Sequence, residues 1–394
     1  MATNYRSGND ATSGFGPVVG APTASMDLAG TLGSSSWVTH QSRIMKTNPT
    51  GPPTLRNLEY PNGFQWPLHL DATGNLTNVR RFVVLGGADR NDYLTGTLGN
   101  PGSPGTVHPS GGRLAVTDVS TIDNPDVTGT MGTWTTNGVL PHLWFERIFC
   151  NTVLTPDEQA FVVGGSAYDF LPYTGQSATA VWQRERIASP VFLPEMLDLT
   201  NPFAAWVVQP QHVSPRLYHS IALLLPDGRI LVGGGYRGVR PQGGINPATP
   251  EHHTWFDWKN EHSDFEIFSP PYMFAGPRPQ ILSITGGPTI GYYSATSPTF
   301  EINVALPGVS VPNQAIGSVC LISPGSVTHH YGWDQRYIGL NKIAAPGSTK
   351  KLLVTPPANE YLAPRGMYML FINSDPAATG GVKIPSIAVF VKLQ

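Results

Sequence analysis

Charged side chains are scarce in this sequence: Asp, Glu, Lys and Arg make up 13% of its 394 residues. The formal net charge is only −2, and nucleic-acid binding requires a basic surface. No apolar run approaches the roughly 20 residues that a membrane-spanning helix needs. The sequence therefore argues against nucleic acid as the main partner and against a helical membrane protein.

Cysteine is also rare, since the chain has only Cys150 and Cys320. Two cysteines so far apart in sequence do not form a disulfide scaffold. The first ten residues are polar and lack the apolar core of a signal peptide. Low lysine content with abundant Gly, Pro, Ser and Thr nevertheless favours an extracellular or cell-surface location, which is our expectation.

Long helical periodicity is missing as well, and the best helical candidates are single turns at 156–160 and 194–199. In contrast, the chain contains 43 glycines and 38 prolines, together with 9 Trp, 14 Tyr and 16 Phe. Turn residues in this number, combined with a large apolar and aromatic content, favour short strands around a sizeable core. The sequence therefore predicts an all-β protein.

A short apolar run that ends in a pair of glycines recurs along the chain, at 81–87, 160–165 and 229–235. Two of these runs follow another strand and a turn, with the preceding strands at 149–154 and 218–225. This order of strand, turn, strand and glycine pair is typical of a kelch-type propeller blade. We predict an incomplete or reduced kelch-type β-propeller of about three to four blades over residues 1–277.

The pattern changes after residue 277, where short strands alternate with Pro- and Gly-rich turns. This spacing favours an immunoglobulin-like sandwich over residues 278–394. The predicted strands of this domain are 280–284, 299–304, 318–322, 352–355, 367–372 and 387–393.

Three to four blades leave the predicted propeller short, because a closed ring normally has at least four. An open ring exposes an edge strand, and exposed edges pair with other chains. We therefore expect either a second chain or self-association to complete the propeller.

Five ordered motifs resemble the galactose oxidase and glyoxal oxidase family of copper radical oxidases. They are Arg-Leu-Tyr-His-Ser at 216–220, Phe-Ser-Pro-Pro-Tyr at 268–272, Thr-His at 328–329 followed by Asp-Gln-Arg at 334–336, 363–373 and 384–389. The resemblance is strongest from residue 215 to the end of the sequence. It implies a kelch propeller followed by an immunoglobulin-like domain.

The resemblance also implies a copper site. Carried over residue by residue, Tyr218 is the axial tyrosine, and His219 and His329 are the histidine ligands. Imidazole and phenolate donors suit Cu(II). An oxidase of this family oxidises primary alcohols or aldehydes with O2 and releases H2O2. Small alcohols, aldehydes or carbohydrates are therefore the implied partners.

The family has a second tyrosine, cross-linked to a cysteine, and this radical pair is not evident here. In the family, the cysteine and its partner tyrosine come from blades well before the Tyr-His motif, and we expect this chain to begin after those blades. Counting back from the glycine pair places Phe149 level with Tyr218, and Cys150 level with His219. Cys150 is either a thioether partner or a buried free cysteine. The alternative function is a non-catalytic structural, assembly or carbohydrate-binding module that retains the oxidase fold.

Other interpretations of the same residues stay open. Tyr218 and His219 are alternatively structural side chains, and His330 with Tyr331 is an alternative inward-facing pair. Trp255 and Trp258 lie in an aromatic loop at 251–264. Their side chains either stack on a sugar or belong to a loop that closes the mouth of the propeller.

Overall fold

The computed structural model describes residues 62–89, 119–123, 140–167, 190–235 apart from 202, and 262–394, with short strands elsewhere before residue 116. Within these residues there is no α-helix, and the helical elements are three 3-10 helices, Pro271–Phe274, Pro312–Gln314 and Pro376–Ala378. In this part of the chain no helix is long and apolar enough to span a membrane. The all-β prediction is confirmed.

The first half of the chain forms small antiparallel sheets. In chain order their strands are β1 (Ala2–Asn4), β2 (Ala24–Met26), β3 (Trp37–Thr39), β4 (Ile44–Met45), β5 (Thr54–Leu55), β6 (Leu58–Glu59), β7 (Asn62–Gln65), β8 (Leu68–His69), β9 (Arg81–Leu85), β10 (Ala88–Asp89), β11 (Leu114–Ala115) and β12 (Val119–Asp123). The sheet orders are β1-β2-β3, β4-β5, β11-β10-β6 and β12-β9-β7. The strand β8 joins none of these sheets.

Two further antiparallel sheets follow. The first has the order β13-β14-β15-β16 and the second has the order β17-β18-β19. Their strands are β13 (Asn151–Leu154), β14 (Gln159–Val163), β15 (Glu195–Asp198), β16 (Val207–Val208), β17 (Ser220–Leu224), β18 (Ile230–Gly234) and β19 (Phe265–Phe268). The predicted helical turn at 194–199 is wrong, because most of it is the strand β15. The sheets among the described residues stay separate, and none of them closes on itself.

The C-terminal residues form an immunoglobulin-like sandwich of two sheets, ordered β20-β22-β28-β27 and β21-β30-β29-β23-β26-β8. A separate hairpin of β24 and β25 lies between β23 and β26 in the chain. The strands are β20 (Gln280–Ile284), β21 (Thr289–Ile290), β22 (Phe300–Ala305), β23 (Ile316–Ile322), β24 (Ser326–Thr328), β25 (Tyr331–Trp333), β26 (Tyr337–Leu340), β27 (Lys342–Ala344), β28 (Lys351–Val354), β29 (Gly366–Ser374) and β30 (Val389–Leu393). The six predicted strands all match, with shifts at their ends.

The N-terminal part contributes one strand to this sandwich. The strand β8 pairs in parallel with β26, with Leu68 opposite Ile338 and His69 opposite Gly339. A Cβ on Gly339 would lie 2.7 Å from the His69 ring nitrogen Nδ1, so the close approach of the two strands requires glycine there. The pairing ties the segment before residue 70 to the C-terminal sheet.

A turn of the β13–β16 sheet is buried against the sandwich. The carbonyl of Pro156, in the turn between β13 and β14, accepts hydrogen bonds from Asn373 Nδ2 at 2.9 Å and from the Tyr337 hydroxyl at 3.4 Å. The carboxylate of Glu158, two residues after Pro156, pairs with Lys383 Nζ and His69 Nε2, each at 3.1 Å. Polar contacts therefore fix this sheet on the sandwich.

A buried ion pair fixes the entry to the β13–β16 sheet. The side chains of Arg147 and Glu195 are fully buried, and Arg147 Nη2 lies 2.9 Å from Glu195 Oε1. Arg147 Nη1 also donates to the Gly164 carbonyl at 2.7 Å. Glu195 Oε2 accepts from the backbone N–H of Trp144 at 2.7 Å. Both buried charges thus have the hydrogen bonds that burial demands.

The β17–β19 sheet repeats this arrangement with different residues. Arg216 Nη2 lies 2.9 Å from Glu266 Oε1, and Arg216 Nη1 donates to the Gly234 carbonyl at 3.1 Å. Glu266 Oε2 accepts from the backbone N–H of Val213 at 2.8 Å. In both sheets the arginine lies three residues after the N–H that the glutamate binds. The repeat is therefore structural as well as a pattern of sequence.

Candidate metal centre

Tyr218 and His219 lie in a tight turn directly before β17. The N–H of Ser220 donates to the Leu217 carbonyl at 2.9 Å, which closes the turn. His219 has a backbone φ of 62°, a left-handed conformation that is uncommon for a residue with a Cβ. Tyr218 is partly buried, whereas the His219 side chain is exposed. The turn therefore presents a phenol and an imidazole from adjacent positions.

His329 and His330 form the two-residue turn of the β24–β25 hairpin, in which Thr328 pairs with Tyr331. Their φ angles are 54° and 61°. Two consecutive left-handed residues define a type I′ turn, in which Asn-Gly is the favoured pair. Two histidines in this turn strain the backbone, and backbone strain of this kind is concentrated at functional sites.

Three polar contacts hold this hairpin over the inner strands. Asn62 Nδ2 donates to the Cys150 carbonyl at 2.6 Å and also to the His330 carbonyl. After the hairpin, Gln335 Oε1 accepts from the Leu154 N–H at 2.8 Å. The hairpin packs against β7, β13 and β17. The hairpin is therefore anchored to three sheets of the N-terminal part, those of β7, β13 and β17.

The aromatic rings of the three predicted ligands meet at this tip. The centroids of Tyr218 and His219 are 4.1 Å apart in a stacked arrangement. The rings of His219 and His329 are nearly perpendicular at 4.8 Å, and those of Tyr218 and His329 lie 5.9 Å apart. The structure thus brings together the residues that the sequence motifs single out from two distant segments.

His330 was predicted from the sequence as part of an alternative inward-facing pair. It is the buried histidine at the tip of the hairpin, whereas His329 is exposed. Its ring lies 6.0 Å from that of Tyr218 and 5.6 Å from that of Phe149. Phe149 in turn contacts Tyr218 at 5.2 Å. The ring of Tyr331 also packs on His330, at 4.4 Å. His330 therefore belongs to an aromatic cluster beside the three predicted ligands.

Burial and nearby charges lower the pKa of His219 and of His330. Partial burial lowers the pKa of His219, and the neighbouring His329 lowers it further. Burial, with the charges of His329 and His219, lowers the pKa of His330 to about 3. A neutral imidazole carries the lone pair that a metal ion requires. The site therefore favours the unprotonated state that metal binding needs.

The donor set fits copper in its chemistry. Two imidazoles and a phenol oxygen are nitrogen and oxygen donors of the kind that Cu(II) accepts. Among the described residues, His, Cys, Asp and Glu side chains form no group of three that could hold a metal. The phenol of Tyr218 is therefore a necessary member of the set, beside His219 and His329.

Cys150 is close in sequence to Phe149, but its side chain packs elsewhere. It is fully buried in an apolar cluster with Phe64, Val83 and Leu154, whereas Phe149 and Tyr218 pack in another cluster. Burial raises the pKa of the Cys150 thiol to about 12, although the Arg147 charge opposes this shift. Both cysteines are free thiols. This environment is typical of an unreactive structural cysteine.

The strand ladders correct the predicted alignment of the two inner strands. Asn151 lies opposite Val163, whereas Ser220 lies opposite Gly234. The left-handed residues before each strand are Phe149, with φ of 64°, and His219. Phe149 is therefore level with His219 and not with Tyr218. The β17 segment has one more residue between its buried arginine and its left-handed residue, since Phe149 follows Arg147 by two positions and His219 follows Arg216 by three, and the turn that contains Tyr218 accommodates it.

The other predicted substrate-binding residues, Trp255 and Trp258, lie outside the described residues. Asn62 and Phe149 are contributors that the sequence did not indicate as part of the site. Asn62 gave no signal, because its role depends on a hairpin far along the chain. Phe149 has a detectable signal, the shared pattern of arginine followed two residues later by an aromatic residue, Arg147-Ile-Phe149 and Arg216-Leu-Tyr218.

Comparison with known proteins shows what the chain is similar to. A profile of the galactose oxidase-like Early set domain matches residues 278–393. The chain is 26% identical over 256 residues to the aldehyde oxidase GLOX1 of Arabidopsis thaliana, which covers 63% of this chain and 36% of that protein. It is 27% identical over 256 residues to a galactose oxidase of Gibberella zeae, covering 64% of this chain and 30% of that protein.

A third relative is the aldehyde oxidase GLOX of Vitis pseudoreticulata, 26% identical over 318 residues, covering 79% of this chain and 50% of that protein. The chain thus spans between 30% and 50% of the length of these curated relatives. A fungal alcohol oxidase of the AA5 family, solved with copper, shares the fold with a TM-score of 0.60 and 21% identity, over 95% of this chain and 60% of that one. Residues 278–393 are therefore a galactose oxidase-like Early set domain, in a chain homologous to galactose oxidases and GLOX aldehyde oxidases.

Proposed function

We propose that this chain binds copper through Tyr218, His219 and His329 and oxidises primary alcohols or aldehydes. The observation that carries the proposal is the meeting of these three rings, with His219 and His329 at 4.8 Å and Tyr218 stacked on His219 at 4.1 Å. The names of the relatives, galactose oxidase and aldehyde oxidase, support this class of substrate. In the reaction, an alcohol or a hydrated aldehyde loses two protons and two electrons, and O2 takes both to become H2O2.

Each residue has a role that follows from its place. His219 and His329 offer imidazole nitrogens, and the Thr328 hydroxyl lies 2.8 Å from His329 Nδ1 and fixes that ring. Tyr218 offers the phenol oxygen from a partly buried position. When bound, copper would supply electron transfer that the side chains lack. The exposure of His219 and His329 leaves the site open to small molecules.

A second candidate is a non-catalytic structural, assembly or carbohydrate-binding module that retains the oxidase fold. The packing of Cys150 supports it, because that side chain lies in a cluster separate from Tyr218. In this case the three rings are retained from an oxidase, and no radical pair completes them. Trp255 and Trp258 stay candidates for stacking on a sugar in such a module.

The kelch-type ring and its completion are part of the proposal as well. Three to four predicted blades are few for a ring that normally has at least four, and an open ring leaves strand edges that pair with another chain. We therefore propose that self-association or a second chain completes the propeller. An extracellular or cell-surface location is consistent with the composition and belongs to the same proposal.

The test is oxygen consumption with peroxide detection on the copper-loaded protein, using small primary alcohols and aldehydes. The test variant is His219→Ala. The matched control is His142→Ala, which changes an exposed histidine outside the ring cluster. Peroxide formation by the wild type and His142→Ala, with loss in His219→Ala, supports the oxidase. Copper binding without peroxide in the wild type supports the non-catalytic module.

A further inference from the structure

We infer that His330 is a positioning residue, which holds the ring of Tyr218 in the orientation from which its hydroxyl reaches the site of His219 and His329. The inference rests on the proposed function, because it concerns the orientation of a proposed copper ligand. It assigns a role to the one histidine of the cluster that the family resemblance leaves without one.

Three aromatic rings pack together at this site. His330, Phe149 and Tyr218 contact one another pairwise, with centroid distances of 5.2, 5.6 and 6.0 Å. The Phe149 and His330 rings meet edge to face at 69°, an arrangement that aromatic pairs prefer. The side chains of His330 and Phe149 are buried, whereas that of Tyr218 is only partly so. The buried pair therefore forms a wall against which the phenol ring packs.

The backbone of the turn also holds His330 in place. His329 and His330 both adopt left-handed conformations, which a Cβ disfavours and which Asn-Gly would adopt with less strain. The carbonyl of His330 is held by Asn62, whose Nδ2 also holds the Cys150 carbonyl next to Phe149. One side chain thus ties His330 and the residue after Phe149 together. The turn therefore holds two histidine rings in place although its backbone conformation is strained.

Ring packing distinguishes positioning from metal ligation. Among the described residues, the histidines do not come together as a group of three that could hold a metal. The His330 ring packs on the aromatic rings of Phe149, Tyr218 and Tyr331. These ring contacts depend on the shape of the side chain, so phenylalanine should preserve them.

The experiment compares His330→Phe and His330→Ala in the copper-loaded protein. The readout is the visible absorption that arises when a tyrosine phenolate binds Cu(II), with the copper content measured in parallel. We expect His330→Phe to keep the absorption and His330→Ala to lose most of it while retaining copper through His219 and His329. Equal loss in both variants, or full retention in His330→Ala, would overturn the inference.

A second readout needs no copper. Protein labelled with 3-fluorotyrosine gives a ¹⁹F signal for Tyr218, which Tyr218→Phe assigns by its disappearance. In the metal-free protein we expect His330→Phe to leave this signal near its wild-type position, and His330→Ala to shift and narrow it as the ring gains freedom. An unchanged signal in His330→Ala would overturn the inference even if the wild type binds no copper. A lack of copper binding would by itself defeat only the proposed function.

The alanine variant removes a buried ring and is the variant at risk of misfolding. His330→Asn replaces it in that event, because asparagine tolerates the left-handed backbone and has no ring. The same losses are expected of it. Retention of the phenolate absorption and of the ¹⁹F signal in His330→Asn would contradict the role given to the ring.

Discussion

The imidazole of His219 faces the edge of the His329 imidazole at 4.8 Å, with an angle of 85° between the ring planes. The first residue lies in a turn before β17, and the second lies in the turn of the β24–β25 hairpin. Each turn adopts a left-handed backbone at its histidine. Two strained turns from distant parts of the chain therefore converge on one site, beside the phenol of Tyr218.

The duplicated arginine–glutamate pairs predict unequal effects of the same substitution. Glu195 is fully buried, whereas the side chain of Glu266 is 26% exposed and Arg216 has Asp264 as a second partner. Glu195→Gln leaves the buried Arg147 charge without its partner, which costs about 3–5 kcal/mol. Glu266→Gln should cost about 1 kcal/mol or less, as partly exposed pairs do.

Urea denaturation of both variants measures this difference. Because the two glutamates make matching contacts to an arginine and to a backbone N–H, the variables between them are burial and the second partner of Arg216, Asp264. Equal losses of unfolding free energy in Glu195→Gln and Glu266→Gln would contradict this prediction.

Asp157 gives a pH dependence of stability. Burial raises the pKa of its carboxyl from 3.8 to about 6, against the hydrogen bonds from Thr155 and Gln159. Between these two pH values the folded state holds a proton that the unfolded state has released. Stability should therefore fall as pH rises from about 4 to 6, by up to about 3 kcal/mol, and this contribution should be flat above pH 6.

Asp157→Asn removes the titrating group and tests this account. We expect the fall between pH 4 and pH 6 to be smaller in the variant, as measured by urea denaturation at each pH. Glu158 titrates in a lower window: burial would raise its pKa, but His69 and Lys383 outweigh it and hold the pKa at about 2. An identical pH profile in Asp157→Asn and the wild type would refute the assignment.

Cys150 should be an unreactive free thiol in the folded protein. Its burial and its pKa of about 12 leave little thiolate at neutral pH, and the thiolate is the reactive form. We expect a thiol reagent to label neither cysteine under native conditions and both of the 2 cysteines after unfolding. Mass spectrometry of a copper-treated sample is the check. A loss of two hydrogens, with only one labelled cysteine, would reveal a thioether and contradict this prediction.

The sequence predicted the C-terminal sandwich well, because its strands end at Pro and Gly turns and three of them, β22, β28 and β30, alternate between more and less buried positions. For example, 280–284 agrees with β20 at both ends. The local pattern at 194–199 suggested a helical turn, whereas Glu195 is in fact the buried partner of Arg147. Pairing across 48 residues overrides such a local signal.

Motif resemblance singled out Tyr218, His219 and His329, and the structure brings their rings together. The alignment of β13 with β17 could not be predicted from the sequence, because the extra residue in the Tyr218 turn is visible only in the pairing of the strands. The role of Asn62 was out of reach of the sequence: its amide joins two carbonyls, of Cys150 and His330, from segments far from it and from each other. Contacts of this kind depend on the tertiary fold and leave no local pattern.

Copper titration followed by electron paramagnetic resonance tests the central claim most directly, because the signal reports both the amount of bound Cu(II) and its nitrogen ligands. We predict one Cu(II) per chain with two coupled nitrogens. Substituting either His219 or His329 with alanine should lower the affinity by more than about 100-fold, while His142→Ala leaves it unchanged. A wild-type protein without a stoichiometric Cu(II) signal, or a signal unchanged in both His219→Ala and His329→Ala, would contradict the account.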